Sequence, residues 1–508
     1  MGRPSAPTIT KSRFLIGRQC LKYLWIKVHE PDRIPPEDEA ARHRFTEGYL
    51  IDRLAKSLYP AGIDVPSEDF LANIEQTQAR LAERRPLFEA GFRAGDLSGR
   101  ADILLPARAG AWDMIEVKSS TAVKDVHVED VAFQRHCYQA AGLPLRKTFL
   151  LHIDNSYVRR GAIDPGRLLV KEDITDPARA AEAAVTEDLA AIRRTLAAAG
   201  CPNVAIGPQC TSPYECPLRY YCWAYLPEHD IFSLYFGGVK AQELFLNGVL
   251  GIKDIPAGIP LTERQNIQVR CVKSGRPHLD VPGLAGFLST LVYPLSFLDF
   301  ETFATAVPQF DNVKPYQAVP FQFSLHVVDA PQAAPAHRSF LARGPADPRP
   351  GFLKALKTAL PAAGSVIVYN QNFEKSILAA LAGIFPRQAG WIESVIGRLA
   401  DLLVPFRAFH YYHPDQRGSA SLKAVLPALT GRSYEDMRIS DGLAASREYI
   451  YMTFGDQYGR TVNEDEKAAI RRDLLAYCGL DTEAMIRILE ELAQVVQSSS
   501  GFEAKPGK

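Results

Sequence analysis

Residues 99–120 read GRADILLPARAGAWDMIEVKSS, and this stretch decides the architecture of the N-terminal half. Apolar residues gather over ILLP and again over WDMIEV, with Gly110 in the short break between them: two strands joined by a turn. Side chains alternate across a strand, so Glu116 and Lys118 share one face while Val117 takes the other. Asp102 is expected at the start of the preceding strand, within reach of the same sheet edge. Two carboxylates so placed can hold a divalent ion that polarises a phosphate and lowers the pKa of bound water. A lysine beside them can orient the nucleophile or neutralise charge that develops in the transition state.

Downstream, VEDVAFQRHCYQAAGL (128–143) reads as a helix that stacks Gln134 and Tyr138 one turn apart. Upstream, FTEGYLIDRLAKSLYP (45–60) sets Asp52 four residues after Gly48, and FEAGF (88–92) supplies Glu89. A lone Glu-x-Lys is commonplace as a surface ion pair; the ordered set of Gly48, Asp102, Glu116, Lys118, Gln134 and Tyr138 is not. That set resembles the PD-(D/E)XK nucleases of the RecB type, which include the CRISPR-associated adaptation nuclease. The resemblance implies a restriction-endonuclease-like α/β domain in which Asp102 and Glu116 bind Mg or Mn and Lys118 assists catalysis. Gln134 and Tyr138 match the family's Gln-x-x-x-Tyr motif. Relatives commonly carry a metal-binding His where this chain has Asp52, so Asp52 is expected to serve as a carboxylate ligand instead.

Three of the eight cysteines, Cys210, Cys216 and Cys222, lie in PQCTSPYECPLRYYCWAY with five residues between successive members, and Cys20 stands far upstream in GRQCLKYLW. Soft thiolates suit an iron–sulfur cubane or zinc, but no close C-x2-C zinc knuckle occurs. The arrangement resembles iron–sulfur nucleases of the RecB type, with one cysteine before the nuclease core and three after it. In those relatives the downstream spacing is more often C-x2-C-x5-C. The resemblance implies a 4Fe-4S cluster on Cys20, Cys210, Cys216 and Cys222. Cys201 is an alternative ligand, and Cys137, Cys271 and Cys478 read as core residues.

The C-terminal zone opens with YPLSFLDFETF (293–303), a strand that presents Asp299 and Glu301 on one face. QAVPFQFSLHVVD and HRSFLARG read as the next two strands. GSVIVYNQNFEKSIL then gives a buried strand ending at Asn370, followed by a helix bearing Glu374. Near the end, DLLAYCGLDTEAM is helical and stacks Tyr477 and Asp481 one turn apart. The order resembles the DEDD exonucleases of the RNase H-like fold, tyrosine subtype. Asp299 and Glu301 match the first motif; Tyr369, Asn370, Phe373 and Glu374 the second, with Glu for the usual Asp; Tyr477 and Asp481 the third. The resemblance implies that Asp299, Glu301, Glu374 and Asp481 hold two divalent ions while Tyr477 orients water. The aromatic and basic block 398–429, with Ser421 and Lys423 opening a helix, is a candidate strand-binding groove, although Tyr411 and Tyr412 also read as core.

The whole chain resembles a little-characterised bacterial family that fuses two such halves. Its expected organisation is a nuclease domain with its cluster over 1–230, a helical connector with a helix-hairpin-helix flavour at Gly248 and Gly251 over 231–285, and an exonuclease domain over 286–508. Lys plus Arg and Asp plus Glu both total 58, so net charge argues neither for nor against a nucleic-acid partner. No apolar run approaches the ~20 residues of a membrane span, and the N-terminus lacks the apolar core of a signal peptide. The expectation is a cytoplasmic, metal-dependent nuclease that processes DNA in repair, recombination or defence. Single-stranded ends are the expected substrate, with RNA as a further candidate. No Walker-type loop is present, so unwinding would fall to a separate helicase. The competing expectation is a nucleic-acid-binding scaffold with one or both sites degenerate.

Overall fold

The computed structural model describes residues 7–66, 68–434 and 437–500. Backbone contacts divide the chain into two compact units, Met1–Tyr225 with Thr305–Gln317, and Leu226–Ala304 with Ala318–Lys508. The division departs from the expected boundaries in two places. Residues 231–285 belong to the second unit, because β8 (His278–Leu279) pairs with β14 (Tyr411–Tyr412) and Asp280 accepts from His410 at 2.7 Å. The excursion Thr305–Gln317 belongs to the first unit, clasped there by Arg159. The Arg159 guanidinium donates to the carbonyls of Pro308 at 2.8 Å and Gln309 at 2.6 Å, and its backbone exchanges bonds with Val313 and Asn312.

The first unit is built on a mixed sheet of β1 (Ile9–Thr10), β2 (Ile63–Asp64), β3 (Leu87–Ala94), β4 (Leu97–Pro106), β5 (Trp112–Val117), β6 (Leu145–Ile153) and β7 (Leu169–Asp173). The order is β2-β3-β4-β5-β6-β7, with β1 alongside β4. Strands β3, β4 and β5 form an antiparallel meander, and β6 then runs parallel to β5 after the helix Asp125–Ala140. Adjacent residues of β5 enter opposite cores. Met114 joins Phe14, Phe133, Tyr138 and Leu189, whereas Ile115 joins Ile51, Phe88, Ile103 and Leu151. A sheet covered on both faces explains why WDMIEV lacks polar alternation. Glu116 shares the parity of Met114 and so faces the helix that carries Gln134 and Tyr138.

The second unit holds β9 (Leu295–Phe303), β10 (Val319–Val328), β11 (Ala336–Leu341), β12 (Val366–Val368) and β13 (Leu399–Asp401) in the order β11-β10-β9-β12-β13. The first three are antiparallel, and β12 and β13 run parallel to β9. Leu298, Phe300, Phe323, Phe352, Val366 and Leu378 fill the main core of this sheet. The connector holds a helix Gly238–Leu246, a turn with Gly248 at φ 83°, a short 3-10 turn Ile252–Asp254 and a helix Glu263–Ser274. Its apolar residues, among them Ile231, Leu244, Val249 and Ile252, close a small core of their own. The final helix runs from Glu464 to Ser500; residues 501–508 lie outside the described residues. Among the described residues no helix is long and apolar enough to cross a membrane.

Candidate functional site

Strand β4 starts at Leu97, so Asp102 lies in its middle rather than at its start. Its Oδ2 accepts the backbone N–H of Val117 at 2.7 Å, which fixes it against β5. Lys118 Nζ reaches Glu116 Oε1 and Asp130 Oδ2, both at 2.6 Å. Gln134 Nε2 donates to Glu116 Oε2 at 2.8 Å and to Asp130 Oδ1 at 3.1 Å, and Tyr138 OH donates to Gln134 Oε1 at 2.9 Å. Thus Asp102, Glu116, Lys118, Gln134 and Tyr138 converge on one network. Gly99 leaves room for the tyrosine, since a Cβ there would stand 3.0 Å from the Tyr138 hydroxyl.

Two members of this network escaped the sequence reading. Asp130 precedes Gln134 by one helical turn, and that spacing was a usable signal. Lys11 was not legible: it comes from the first turn of the helix Lys11–Gln19, and its Nζ lies 2.7 Å from Glu116 Oε1. Burial opposes ionisation of Glu116, but Lys11 and Lys118 outweigh it and hold this carboxyl well below the usual range. Among the described residues no ammonium pairs directly with Asp102; burial, then the charge of Glu116, pushes it well above.

Asp52 stands apart from this network. It faces the same cleft as Asp102, but its carboxylate pairs with Lys56 at 2.8 Å, which also binds Glu89 at 3.0 Å. Glu89 lies within β3 at φ 55°, a left-handed conformation uncommon outside glycine. Gly48 sits inside the helix Glu39–Ser57 with open space beside it.

Cys20, Cys210, Cys216 and Cys222 line one small cavity together with Tyr23, Ile206 and Leu218. Cys20 caps the C-terminus of the helix Lys11–Gln19, and Gln19 Nε2 donates to the carbonyls of Gln209 at 2.8 Å and Tyr214 at 2.6 Å, stitching the two distant segments together. Burial pushes the Cys216 thiol up to about 11, and the three other sulfurs push in the same direction. The donor set fits a thiolate-bound metal centre. Among the described residues the one group of three ligand atoms mutually within 4.8 Å lies elsewhere, so the cage is wider than the roughly 3.8 Å between thiolates around one tetrahedral zinc. Cys201 is exposed on its loop, with its sulfur 3.8 Å from the Pro202 carbonyl.

In the second unit the clustered ligand atoms belong to Asp299, Glu301 and Cys478, all within 4.8 Å of one another. Cys478, read from sequence as core, is buried but touches Asp299 Oδ2 at 3.4 Å. Glu374 and Asp481 flank this group without joining it at that distance, although Asp481 first, then Glu301 and Glu374, add to the burial that pushes Asp299 up. Asp481 is engaged by tyrosines: Tyr434 OH donates at 2.6 Å, and Tyr477 donates as well. Burial and Asp481 push Glu301 up to about 8, and burial pushes Asp481 up to about 6. Glu374 lies in the first turn of the helix Asn372–Ile384, 1% exposed, and its Oε2 finds no hydrogen-bond partner among the described residues. Burial, and secondarily Asp401, push it up to about 8.

Asp401, at the end of β13, is a further residue that sequence reading missed; it accepts the N–H groups of Asn370 at 2.9 Å and Leu403 at 3.0 Å. Asn370 makes the strand-to-helix turn at φ 71°, where asparagine is tolerated, and the Tyr369 hydroxyl donates to the Ala420 carbonyl at 2.6 Å. Lys423 stands 5.8 Å above the ring of Tyr477 and draws Glu301 and Asp481 down electrostatically. A neighbouring cleft is lined by Tyr235, Phe236, Tyr369, Asn370, Arg407 and the turn 418–422. Tyr411 and Tyr412 are buried, as core residues.

A family described as a domain of unknown function, DUF2779, matches residues 296–421. That span holds Asp299, Glu301, Glu374 and Asp401 but neither Asp481 nor any residue of the first site. No curated protein matches the chain.

Proposed function

We propose that the chain is a metal-dependent nuclease that hydrolyses phosphodiester bonds of DNA in the cytoplasm, with one hydrolytic centre in each unit. The observation that carries the reading is the crowding of Asp299, Glu301 and Cys478 within 4.8 Å, flanked by Glu374 and Asp481. Buried carboxyls so close together repel unless protons or cations neutralise them. One or two divalent ions there would supply Lewis-acid polarisation of the phosphate and a more acidic water. Asp299 and Glu301 would be ligands, and Tyr477, with Lys423 above its ring, would steady the attacking side. The neighbouring cleft with its aromatic rings and Arg407 suits an unpaired strand.

The first unit supports the same chemistry through Asp102 and Glu116 as Mg or Mn ligands, with Lys118 held at 2.6 Å from Glu116 to position the nucleophile or a phosphate oxygen. Gln134 and Tyr138 orient Glu116 rather than meet substrate. In this reading the restriction-endonuclease-like and RNase H-like resemblances describe the two units. A 4Fe-4S cluster on Cys20, Cys210, Cys216 and Cys222 braces the first of them, and such a cluster ties together chain segments that a reduced cytoplasm cannot join by disulfides.

The test is cleavage of end-labelled single- and double-stranded DNA and RNA by the purified full chain with Mg or Mn. Parent, Lys118→Ala, Asp299→Asn and the doubly substituted protein are compared. Loss of internal cutting in Lys118→Ala, of end trimming in Asp299→Asn and of both in the doubly substituted protein is expected. A doubly substituted protein as active as its parent refutes the reading, and a folded, inactive parent that binds nucleic acid favours a scaffold.

A further inference from the structure

We propose that Lys11 is a further substrate-binding residue of the first site: it leaves Glu116 when a divalent cation binds there and takes a phosphate oxygen of the strand in the cleft. The inference rests on the hydrolytic reading of Asp102, Glu116 and Lys118 and goes beyond it.

Two ammonium groups share Glu116 Oε1, Lys118 at 2.6 Å and Lys11 at 2.7 Å, but they are not equivalent. Lys118 has a second close partner, Asp130, at 2.6 Å, whereas Lys11 is 3.8 Å from that carboxylate. Lys11 is also the one of the two that lines the open cleft, beside Asp102 and Arg100. A cation ligated by Glu116 stands next to both ammonium groups and repels them. Lys118 remains tied to Asp130, so Lys11 is the group free to swing. Its four-carbon stem gives the ammonium the reach, and it acts as a point charge for phosphate.

The base of that stem is fixed from both sides. Strand β1 pairs with β4 through Ile9 and Thr10, and the Thr10 side chain caps the helix that Lys11 begins. The same helix ends at Cys20, a corner of the thiol cage, and Arg18 pins it to Glu129 and Asp188, each at 3.0 Å. A short rigid helix therefore presents Lys11 at one end and a cage cysteine at the other. With Asp102, Glu116 and Asp130 all ionised, as a bound cation would require, three carboxylates and two lysines leave the inner cluster one formal negative charge. A divalent cation reverses that sign, which is the condition for accepting a phosphodiester anion.

The experiment uses the full chain with Asp299→Asn as background, so that the second site is silent, and compares Lys11, Lys11→Met and Lys11→Arg. Calorimetric titration with Mn2+ alone is expected to show about threefold or more tighter binding for Lys11→Met, because a like charge is removed. Affinity for a single-stranded oligonucleotide in Ca2+ is expected to fall about tenfold, with the salt slope reduced by about one, and to be largely restored in Lys11→Arg. Unchanged Mn2+ and oligonucleotide affinities overturn the proposal. So does a joint fall of both affinities and of the melting temperature, which would make Lys11 a structural strut. Lys118→Ala on the same background separates the two levels. If it cuts as fast as its parent, the hydrolytic reading fails; if it is dead while Lys11→Met is neutral, only the role of Lys11 fails.

Discussion

Glu374→Gln offers a test of the second site that needs no turnover. The Glu374 carboxyl is 1% exposed, one of its oxygens has no hydrogen-bond partner among the described residues, and burial pushes its pKa from the ordinary 4.5 up to about 8. The folded-state value is the raised one, so this group favours the fold fully below pH 4.5, and that contribution is lost as pH rises towards 8. At ~1.36 kcal/mol for each tenfold in proton affinity, ionising the group inside the metal-free fold by pH 8.5 costs at most about 4 kcal/mol relative to pH 5. Relaxation and water entry should leave roughly 2 kcal/mol of that.

Glutamine fills nearly the same volume and never ionises. Scanning calorimetry of the full chain in EDTA should therefore find the melting transition of the second unit unchanged by Glu374→Gln at pH 5. At pH 8.5 the same substitution should raise it by roughly 4–8 °C. With saturating Mn2+ at pH 8.5 the order should reverse. A ligand at 100 times its Kd stabilises the parent by about 2.7 kcal/mol, and the variant, lacking a carboxylate, should gain less. Equal melting of parent and variant at both pH values without metal would refute the reasoning about burial. Equal stabilisation by Mn2+ would remove Glu374 from the ligand set.

Two further outcomes are expected. Anaerobically purified protein should be brown, with about four irons per chain, and Cys20→Ser should lower both iron content and the melting temperature of the first unit; stoichiometric zinc without iron would exclude the cluster. Arg159→Ala should remove the guanidinium bonds to Pro308 and Gln309 and cost about 2 kcal/mol locally, read as faster amide exchange across the excursion 305–317 with Mn2+ binding unaltered; unchanged exchange there would show that other contacts hold the clasp.

Much of the site was legible because its residues are repeated by local periodicity. Asp299 and Glu301 are two apart on a strand, Lys118 follows Glu116 by two just past the end of β5, and the pairs Gln134 with Tyr138 and Tyr477 with Asp481 are four apart on helices. Asp130 and Cys478 were within reach of the same rule: Asp130 stands one turn before Gln134, and Cys478 is three residues before Asp481 on its helix. The spacing alone does not mark them, because a helical aspartate or cysteine is usually a surface or core residue.

Other features are tertiary in origin. Lys11 meets Glu116 across a sequence separation of 105 residues, and no pattern around either announces the other. Tyr434 reaches Asp481 from a loop, and Asp401 closes a strand that lies next to β12 only once the sheet is assembled. Asp52 shows the converse. Its position in the chain suits a ligand, yet the fold supplies Lys56 one helical turn away as the nearer partner. The assignment of Thr305–Gln317 to the first unit likewise depends on Arg159, which offers its guanidinium to carbonyls that a linear reading treats as a strand connection.

The sequence by itself determined the mixed α/β elements, the two separate carboxylate-bearing strands and the grouping of three cysteines near one another, because strand and helix periods dictate which side chains share a face. Only the tertiary structure decided which distant groups complete each cluster, which carboxylates lack a countercharge, and where the chain passes from one unit to the other. Burial and charge pairing are properties of assembled surfaces. They arise from the packing of segments remote in the chain, so no local period encodes them.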